Sequence, residues 1–184
     1  FEFAKDRPNI IAKYRFKNSG PTIIFNGHMD TAPYYNEQNS WETDPGKAII
    51  KNDKVYGRGS CDMKGGIACA LVAIFKCIKE NSGCGSIVVN FVSDEENTSI
   101  FGTIPLCNNN LIDGDFAIVL EPTECVVCPQ QLGNMFFATR INGIGGHTGF
   151  PNGKINPFDI AIDYIDVMKK WADEKKEKKD DLQP

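Results

Sequence analysis

The stretch Gly57-Arg58-Gly59-Ser60-Cys61-Asp62-Met63-Lys64-Gly65-Gly66 decides the fold of this chain. It follows Lys54-Val55-Tyr56, which predicts a short strand, and it precedes the apolar segment Ile67–Phe75, which predicts a buried helix. Asp62 therefore lies on a glycine-flanked turn between a strand and a helix, where glycine permits positive φ angles and close approach of other groups. In α/β sheets such turns, at the carboxyl ends of strands, are where ligands bind. We therefore expect Asp62 to lie at the centre of the functional site.

The composition narrows the class of protein. A length of 184 residues allows one domain, or one domain and part of a second. The net charge of −4 argues against a nucleic-acid-binding protein, and no apolar run is long enough to span a bilayer. Seven cysteines, an odd number at irregular spacing, favour reduced thiols and a cytoplasmic protein. The CxxC pair formed by Cys125 and Cys128 gives little support for a zinc knuckle or a redox site, because no second pair accompanies it.

Polar side chains stand at the ends of the predicted strands. Apolar strands are predicted over Asn9–Phe16, Pro21–Asn26, Ser86–Val92 and Asp115–Leu120. Helical segments alternate with strands, which favours an α/β fold with a mainly parallel sheet whose strand ends share one edge. Such a group of carboxylates needs compensating positive charge, and two divalent metal ions would supply it. The side chains expected to meet at that edge are one histidine and five carboxylates: His28, Asp30, Asp62, Glu95, Glu96 and Glu121.

Two of these motifs are ambiguous when each is taken alone. His28 and Asp30 are two residues apart, so on an extended backbone they share a face, as a metal-bound imidazole and its supporting carboxylate would. A polar strand end is the alternative. On an extended backbone Glu95 and Glu96 point to opposite sides, which would let one bind metal while the other acts as a general base. A solvated acidic loop explains that pair equally well.

The chain changes character after residue 131. A strand is predicted over Asn134–Ile141, and Ile155–Phe158 opens a helix that carries an apolar stripe. The charged run Glu174–Asp181 is typical of a solvated helix end. We therefore expect a metal-binding domain over residues 1–131 and the beginning of a second domain over residues 132–184.

Five motifs in order resemble the zinc peptidase and deacylase family that includes aminoacylase, acetylornithine deacetylase, succinyl-diaminopimelate desuccinylase and glutamate carboxypeptidase. The order and spacing fit this family from about Asn9 to Met168. A single motif of this kind is weak evidence, whereas five in order are highly specific. The motifs are Gly27-His28-Met29-Asp30-Thr31, the Gly57–Gly66 stretch, Asp94-Glu95-Glu96, Glu121-Pro122-Thr123 and Gly146-His147-Thr148-Gly149-Phe150-Pro151.

The resemblance implies a role for each site residue. His28, Asp62 and Glu121 would hold one zinc ion. Asp62 and Glu96 would hold a second, together with a further histidine that the family carries near its carboxyl end. Glu95 would be the general base toward the water shared by the two ions. Asp30 would support His28, and the peptide bond between Asp62 and Met63 would be cis. His147 would reach into the neighbouring subunit's active site and stabilise the developing oxyanion.

The resemblance also implies the wider architecture and activity. The sheet would be zinc exopeptidase-like, and residues 132–184 would begin a smaller α+β lid and dimerisation domain. The enzyme would be a homodimer with two Zn²⁺ per complete subunit, for which Co²⁺ or Mn²⁺ could substitute. It would cleave an amide bond of an N-acyl amino acid or small peptide. The chain is expected to be a fragment, because the rest of the lid and the last zinc-binding histidine are not in it. The alternative is a truncated or non-catalytic metal-binding member of the same fold.

Overall fold

The computed structural model describes residues 1–35, 40–131, 133, 136–150 and 153–177, and of residue 177 only the backbone. The chain forms two compact units, Phe1–Pro129 and Gln130–Pro184. The first unit contains the sheet and every predicted site residue except His147. None of the helices in the described residues is long and apolar enough to cross a membrane.

The first unit is built on a four-stranded sheet. In chain order its strands are β1 (Ile10–Arg15), β2 (Thr22–His28), β5 (Ser86–Val92) and β6 (Phe116–Val119). The order across the sheet is β1-β5-β2-β6, with β1 antiparallel to β5 and the other neighbouring pairs parallel. The prediction of a mixed, mainly parallel sheet is therefore confirmed. The carboxyl ends of β2, β5 and β6 consequently lie at the same edge.

A hairpin and a helix connect β2 to β5. The hairpin pairs β3 (Ile49–Lys51) with β4 (Lys54–Tyr56), and both residues between them have left-handed φ angles, 53° at Asn52 and 57° at Asp53. Asparagine and aspartate tolerate that conformation, which suits the tight turns of hairpins. The helix α1 (Lys64–Glu80) starts directly after the Asp62 turn. It is followed by Asn81, whose φ of 48° makes it the left-handed cap.

Helices lie on both faces of the sheet. On one face Ile74 of α1 forms the buried core cluster with Val89 and Phe91 of β5. On the other face Asn26 of β2 donates a hydrogen bond to Thr103 at the start of α2 (Thr103–Asn108), 3.5 Å away. The two faces follow from the alternation of side chains along a strand, which turns consecutive residues to opposite sides. With both faces covered, β5 is apolar along nearly its whole length.

The second unit contains α3 (Pro157–Glu177) and one isolated bridge between Ile144 and Ile155. The helix was predicted and is present. The strand predicted over Asn134–Ile141 is wrong for residues 136–141, which form no strand; Asn134 and Met135 lie outside the described residues. The apolar sequence of this segment is compatible with a strand, but a strand forms only when a neighbour satisfies its backbone hydrogen bonds. Within the described residues of this unit, the one pairing is that isolated bridge.

Candidate metal centre

His28, the last residue of β2, is the centre of the site. Its side chain is only 1% exposed, and its Nδ1 lies 3.0 Å from the backbone oxygen of Asp30. A carbonyl oxygen can only accept a hydrogen bond, so Nδ1 carries the proton and donates it to Asp30. In a neutral imidazole this leaves the Nε2 lone pair free to bind a metal ion. The histidine is therefore held in the tautomer that a metal site requires.

Three carboxylates face Nε2 of His28. The distance is 3.0 Å to Oδ1 of Asp62, 3.8 Å to Oε2 of Glu95 and 3.8 Å to Oε1 of Glu121. They come from the turn before α1, the segment after β5 and the end of β6. The parallel sheet therefore brings together side chains that are far apart in the sequence, as the strand-end pattern predicts.

The pKa values respond to this crowding. Burial raises the pKa of Glu121 to about 7, and the charge of Asp62 contributes in the same direction. Burial also raises the pKa of Glu95; the nearby imidazole opposes that shift, while Glu96 and other acidic groups add to it. For His28, burial lowers the pKa, but the hydrogen bond with Asp62 and the surrounding acidic groups outweigh it, so the net shift is upward. All three shifts reduce the negative charge in the site, which is also what a bound cation would do.

The donor set fits a zinc ion. One ligand atom each from His28, Asp62 and Glu121 lie within 4.8 Å of one another. Imidazole nitrogen and carboxylate oxygen are common zinc ligands, and three protein ligands with a further open position are typical of catalytic sites. Moreover, Nε2 of the neutral imidazole and Oδ1 of Asp62 are both acceptors at 3.0 Å, so a proton or a cation must lie between them. These residues therefore suit a divalent metal ion.

Asp30 connects the histidine to the paired glutamates. Its Oδ1 lies 3.5 Å from Nδ1 of His28, and its expected role in supporting that histidine stays a prediction. In addition, the backbone amides of Glu95 and Glu96 donate to Oδ1 and Oδ2 of Asp30, each at 3.2 Å. A single carboxylate thus contacts both the end of β2 and the segment after β5.

The paired glutamates lie on a 3₁₀ turn, Glu95–Asn97, rather than on the extended backbone that the sequence suggested. Asp94 before the turn has a left-handed φ of 71°, which ends the strand and turns the chain. The two side chains nevertheless have different surroundings. Glu95 faces His28, whereas Oε1 of Glu96 accepts a hydrogen bond from the amide of Ala32 at 2.9 Å.

Glu96 is not part of the ligand group formed by His28, Asp62 and Glu121 in the described residues. Glu96 and Asp62 instead both line a cavity of about 260 Å³ beside that group, to which Ala32, Trp41 and Arg58 also contribute. The guanidinium of Arg58 lies 5.1 Å from the ring centre of Trp41. The structure therefore assembles one set of three ligands, and it places the fourth expected ligand on the wall of an adjacent cavity.

Gly66 allows the Asp62 turn to approach Glu121. A Cβ on Gly66 would collide with the backbone oxygen of Leu120, the residue just before Glu121. The first turn of α1 therefore packs directly against the chain that follows β6. The predicted cis peptide bond between Asp62 and Met63 is present in the same turn. The sequence shows Gly66 but does not show that it approaches the backbone of Leu120.

His147 lies in the second unit. Its Nδ1 accepts a hydrogen bond from the amide of Gly149 at 3.0 Å, and its ring lies 5.8 Å from that of Phe150. The side chain is exposed. These contacts describe a local turn, and the expected role of His147 at a neighbouring subunit stays a prediction.

The strand-end cluster of one histidine and several carboxylates on this α/β sheet is a candidate metal centre. Residues 24–172 match the model of peptidase family M20/M25/M40. The chain belongs to this family.

Individual relatives agree with this assignment. Succinyl-diaminopimelate desuccinylase of Rickettsia felis is 36% identical over 166 residues, which are 83% of this chain and 42% of the relative. The enzyme of the same name from Rickettsia bellii is 38% identical over 174 residues, 87% of this chain and 43% of the relative. The chain therefore spans less than half the length of the curated relatives it matches.

Solved structures support the fold. An M20 family metallo-carboxypeptidase from Sulfolobus solfataricus superimposes with a TM-score of 0.55 at 24% identity, covering 64% of this chain and 28% of that one. Human carnosine dipeptidase 1 gives a TM-score of 0.50 at 23% identity, over 61% of this chain and 25% of that one. At this identity the likeness concerns the fold alone.

Proposed function

We propose that the chain is the metal-binding part of a zinc-dependent amidohydrolase that acts on N-acyl amino acids or small peptides. The observation that carries the proposal is the environment of His28. Its Nδ1 is tied to the backbone of Asp30, while its Nε2 faces Asp62, Glu95 and Glu121 within 3.8 Å. Membership of a family of hydrolases supports the same conclusion.

His28, Asp62 and Glu121 would hold one zinc ion, and Asp62 with Glu96 would contribute to a second. Zinc at this place supplies Lewis acidity toward a water molecule and toward the carbonyl of the scissile amide. Glu95 is our proposed general base. Its carboxylate stands beside the ligand group without belonging to it, and its raised pKa suits a group that takes up a proton and passes it to the leaving nitrogen.

The relatives' names support a substrate class. Several are called succinyl-diaminopimelate desuccinylase, which favours an N-succinyl amino acid over a dipeptide for this chain as well. We also propose that the protein is cytoplasmic and that residues 132–184 begin the lid and dimerisation domain. In support of the latter, α3 leaves apolar side chains on its surface, with Ile162 59% and Val167 62% exposed. In such a dimer His147 would serve the partner's active site.

The proposal is tested by Glu95→Gln with Glu80→Gln as the matched control. Glu80 is an exposed glutamate at the far end of α1 from the Asp62 turn. Zinc affinity is measured by competition with a chromophoric chelator, and hydrolysis with N-succinyl and N-acetyl amino acids. We expect Glu95→Gln to keep zinc and lose hydrolysis by about 10²- to 10⁴-fold, the usual contribution of a general base. Glu80→Gln should change neither.

Any of three results would contradict this proposal. Hydrolysis unchanged in Glu95→Gln would remove Glu95 from the mechanism. Failure of the unmodified chain to bind zinc, or zinc binding that persists in His28→Ala, would show that this is not the metal centre. A native mass spectrum of the zinc-loaded protein counts the ions per chain and the chains per assembly.

A further inference from the structure

The segment that carries Glu95 and Glu96 is built around a buried charge that the proposed chemistry does not use. Asp94 is completely buried, although aspartate almost never is unless it is paired. Its φ of 71° and ψ of 18° place it in the left-handed region. A buried carboxylate on a strained backbone persists only where its surroundings hold it.

Among the described residues, the partners of Asp94 belong to the surrounding loop or to the amino-terminal segment. Oδ2 accepts a hydrogen bond from the amide of Phe101 at 3.2 Å, and Oδ1 accepts one from Nδ2 of Asn97 at 3.3 Å. Nε of Arg7 lies 4.0 Å from Oδ1, and the backbone oxygen accepts from the amide of Ser99 at 2.7 Å. Asp94 thus closes the loop from residue 94 to residue 101 onto itself.

Closing this loop has a direct consequence for the metal centre. The amides of Glu95 and Glu96, the next two residues, donate to the two oxygens of Asp30. These two hydrogen bonds can form together only if the N–H groups of Glu95 and Glu96 both point toward Asp30. The left-handed φ of Asp94, followed by the 3₁₀ turn, orients both N–H groups in this way. Asp30 then joins this loop to His28, whose Nδ1 lies 3.5 Å from its Oδ1.

We propose that Asp94 is a positioning residue for Glu95 and Glu96. It touches neither substrate nor metal; it fixes the loop so that the two amides dock on Asp30 and the two side chains diverge, Glu95 toward His28 and Glu96 toward Ala32. This inference rests on the proposed function for the roles of Glu95 and Glu96, but the geometry it concerns is independent of them.

The test uses Asp94→Gly and Asp94→Asn, with Asp115→Asn as the matched control. Glycine removes the carboxylate and also relieves the left-handed φ, so any loss is traced to the carboxylate rather than to backbone strain. Asparagine tolerates the same φ and keeps one acceptor oxygen. Asp115 also accepts a backbone hydrogen bond, from Thr22 at 2.7 Å, but at the other end of the strands.

Two readouts are measured on the full 184-residue chain. Amide hydrogen exchange should become about tenfold faster at Glu95 and Glu96 in Asp94→Gly, as expected when one hydrogen bond is lost, and less so in Asp94→Asn. Zinc affinity should fall by about 10- to 100-fold in Asp94→Gly, the usual effect of losing a group that supports metal ligands. Asp115→Asn should alter neither.

One pattern would overturn the proposal. If exchange accelerates at Phe101 but not at Glu95 and Glu96, then Asp94 serves only the outer part of the loop. Exchange at the β5 amides reports whether each variant is folded. If Asp94→Gly is unfolded, exchange at Phe101 is compared with exchange at Glu95 and Glu96 in Asp94→Asn instead. Exchange is read without substrate, so failure of the chain to bind zinc would refute the proposed function while leaving the exchange test intact.

Discussion

Replacing Gly66 with alanine should weaken the metal centre more than it weakens the fold. Gly66 lies in the first turn of α1, where an added Cβ would collide with the backbone oxygen of Leu120 and come within 3.3 Å of the Leu120 Cβ. A backbone oxygen cannot swing aside as the tip of a side chain can. Either α1 or the chain around Leu120 must therefore move by roughly 1 Å to restore ordinary contact distances.

Two opposing terms set the effect of this change on stability. Overpacking of this kind costs about 1–3 kcal/mol. Alanine has a better helix propensity than glycine by about 1 kcal/mol, which offsets part of this cost. The free energy of unfolding should therefore fall by only about 0–2 kcal/mol, and the protein should remain folded.

The metal centre has no such compensation. The displaced backbone carries Asp62 on one side and Glu121 on the other. In the unmodified chain, a carboxylate oxygen of each lies within 4.8 Å of the other and of a ring nitrogen of His28. A shift of the supporting structure typically lowers metal affinity by about 10- to 100-fold. Zinc affinity is measured by chelator competition and stability by urea unfolding. The control is Val72→Ala in the same helix, at a side chain that is 70% exposed.

Either of two results would refute this reasoning. If Gly66→Ala binds zinc as tightly as the unmodified chain while losing stability, then the approach of α1 to Leu120 does not set the ligand geometry. If Val72→Ala weakens zinc binding as well, the effect belongs to the helix in general.

Two further predictions concern the pH response and the core. Zinc affinity should rise between pH 6 and pH 8. The pKa of Glu121 is raised to about 7 and that of His28 is also raised, and both groups must lose their protons before they can bind a cation. An affinity that stays flat over this range would contradict the assignment of these ligands. Leu106→Ala should lower the free energy of unfolding by about 2–5 kcal/mol, since the side chain is completely buried. Ile104→Ala in the same helix, at a side chain 44% exposed, should cost far less in the same urea titration.

That the candidate ligands lie close together could be predicted from the sequence, because strand ends in a parallel sheet are simple to place. His28 ends β2, Glu121 follows the neighbouring strand β6, and Asp62 precedes the helix that packs on the sheet, so topology alone brings the three together. The paired glutamates show the limit of this approach. A period of two predicts where their side chains point on a strand, but the strand ends at Val92, and a left-handed Asp94 turns the chain into a 3₁₀ turn.

What could not be predicted depends on torsion angles in loops. The motif Asp94-Glu95-Glu96 is visible in the sequence, yet nothing in it shows that Asp94 is buried or that the amides of its neighbours reach Asp30. The wrong strand over residues 136–141 has a different origin. Its apolar residues are compatible with a strand, but the pairing that decides the matter depends on another segment of chain.

The balance of charge argues that metal binding and folding of this site are coupled. One imidazole carries at most one positive charge, whereas the carboxylates of Asp62, Glu95 and Glu121 around it can carry three negative charges. Without a cation, the site lowers this imbalance by raising the pKa values of Glu95 and Glu121. A divalent ion would allow all three to ionise, because opposite charge favours the charged form of a carboxylate. The free energy of zinc binding therefore includes the work of removing these protons. Because the strand ends hold the carboxylates together, the charge balance of the site depends on the bound ion.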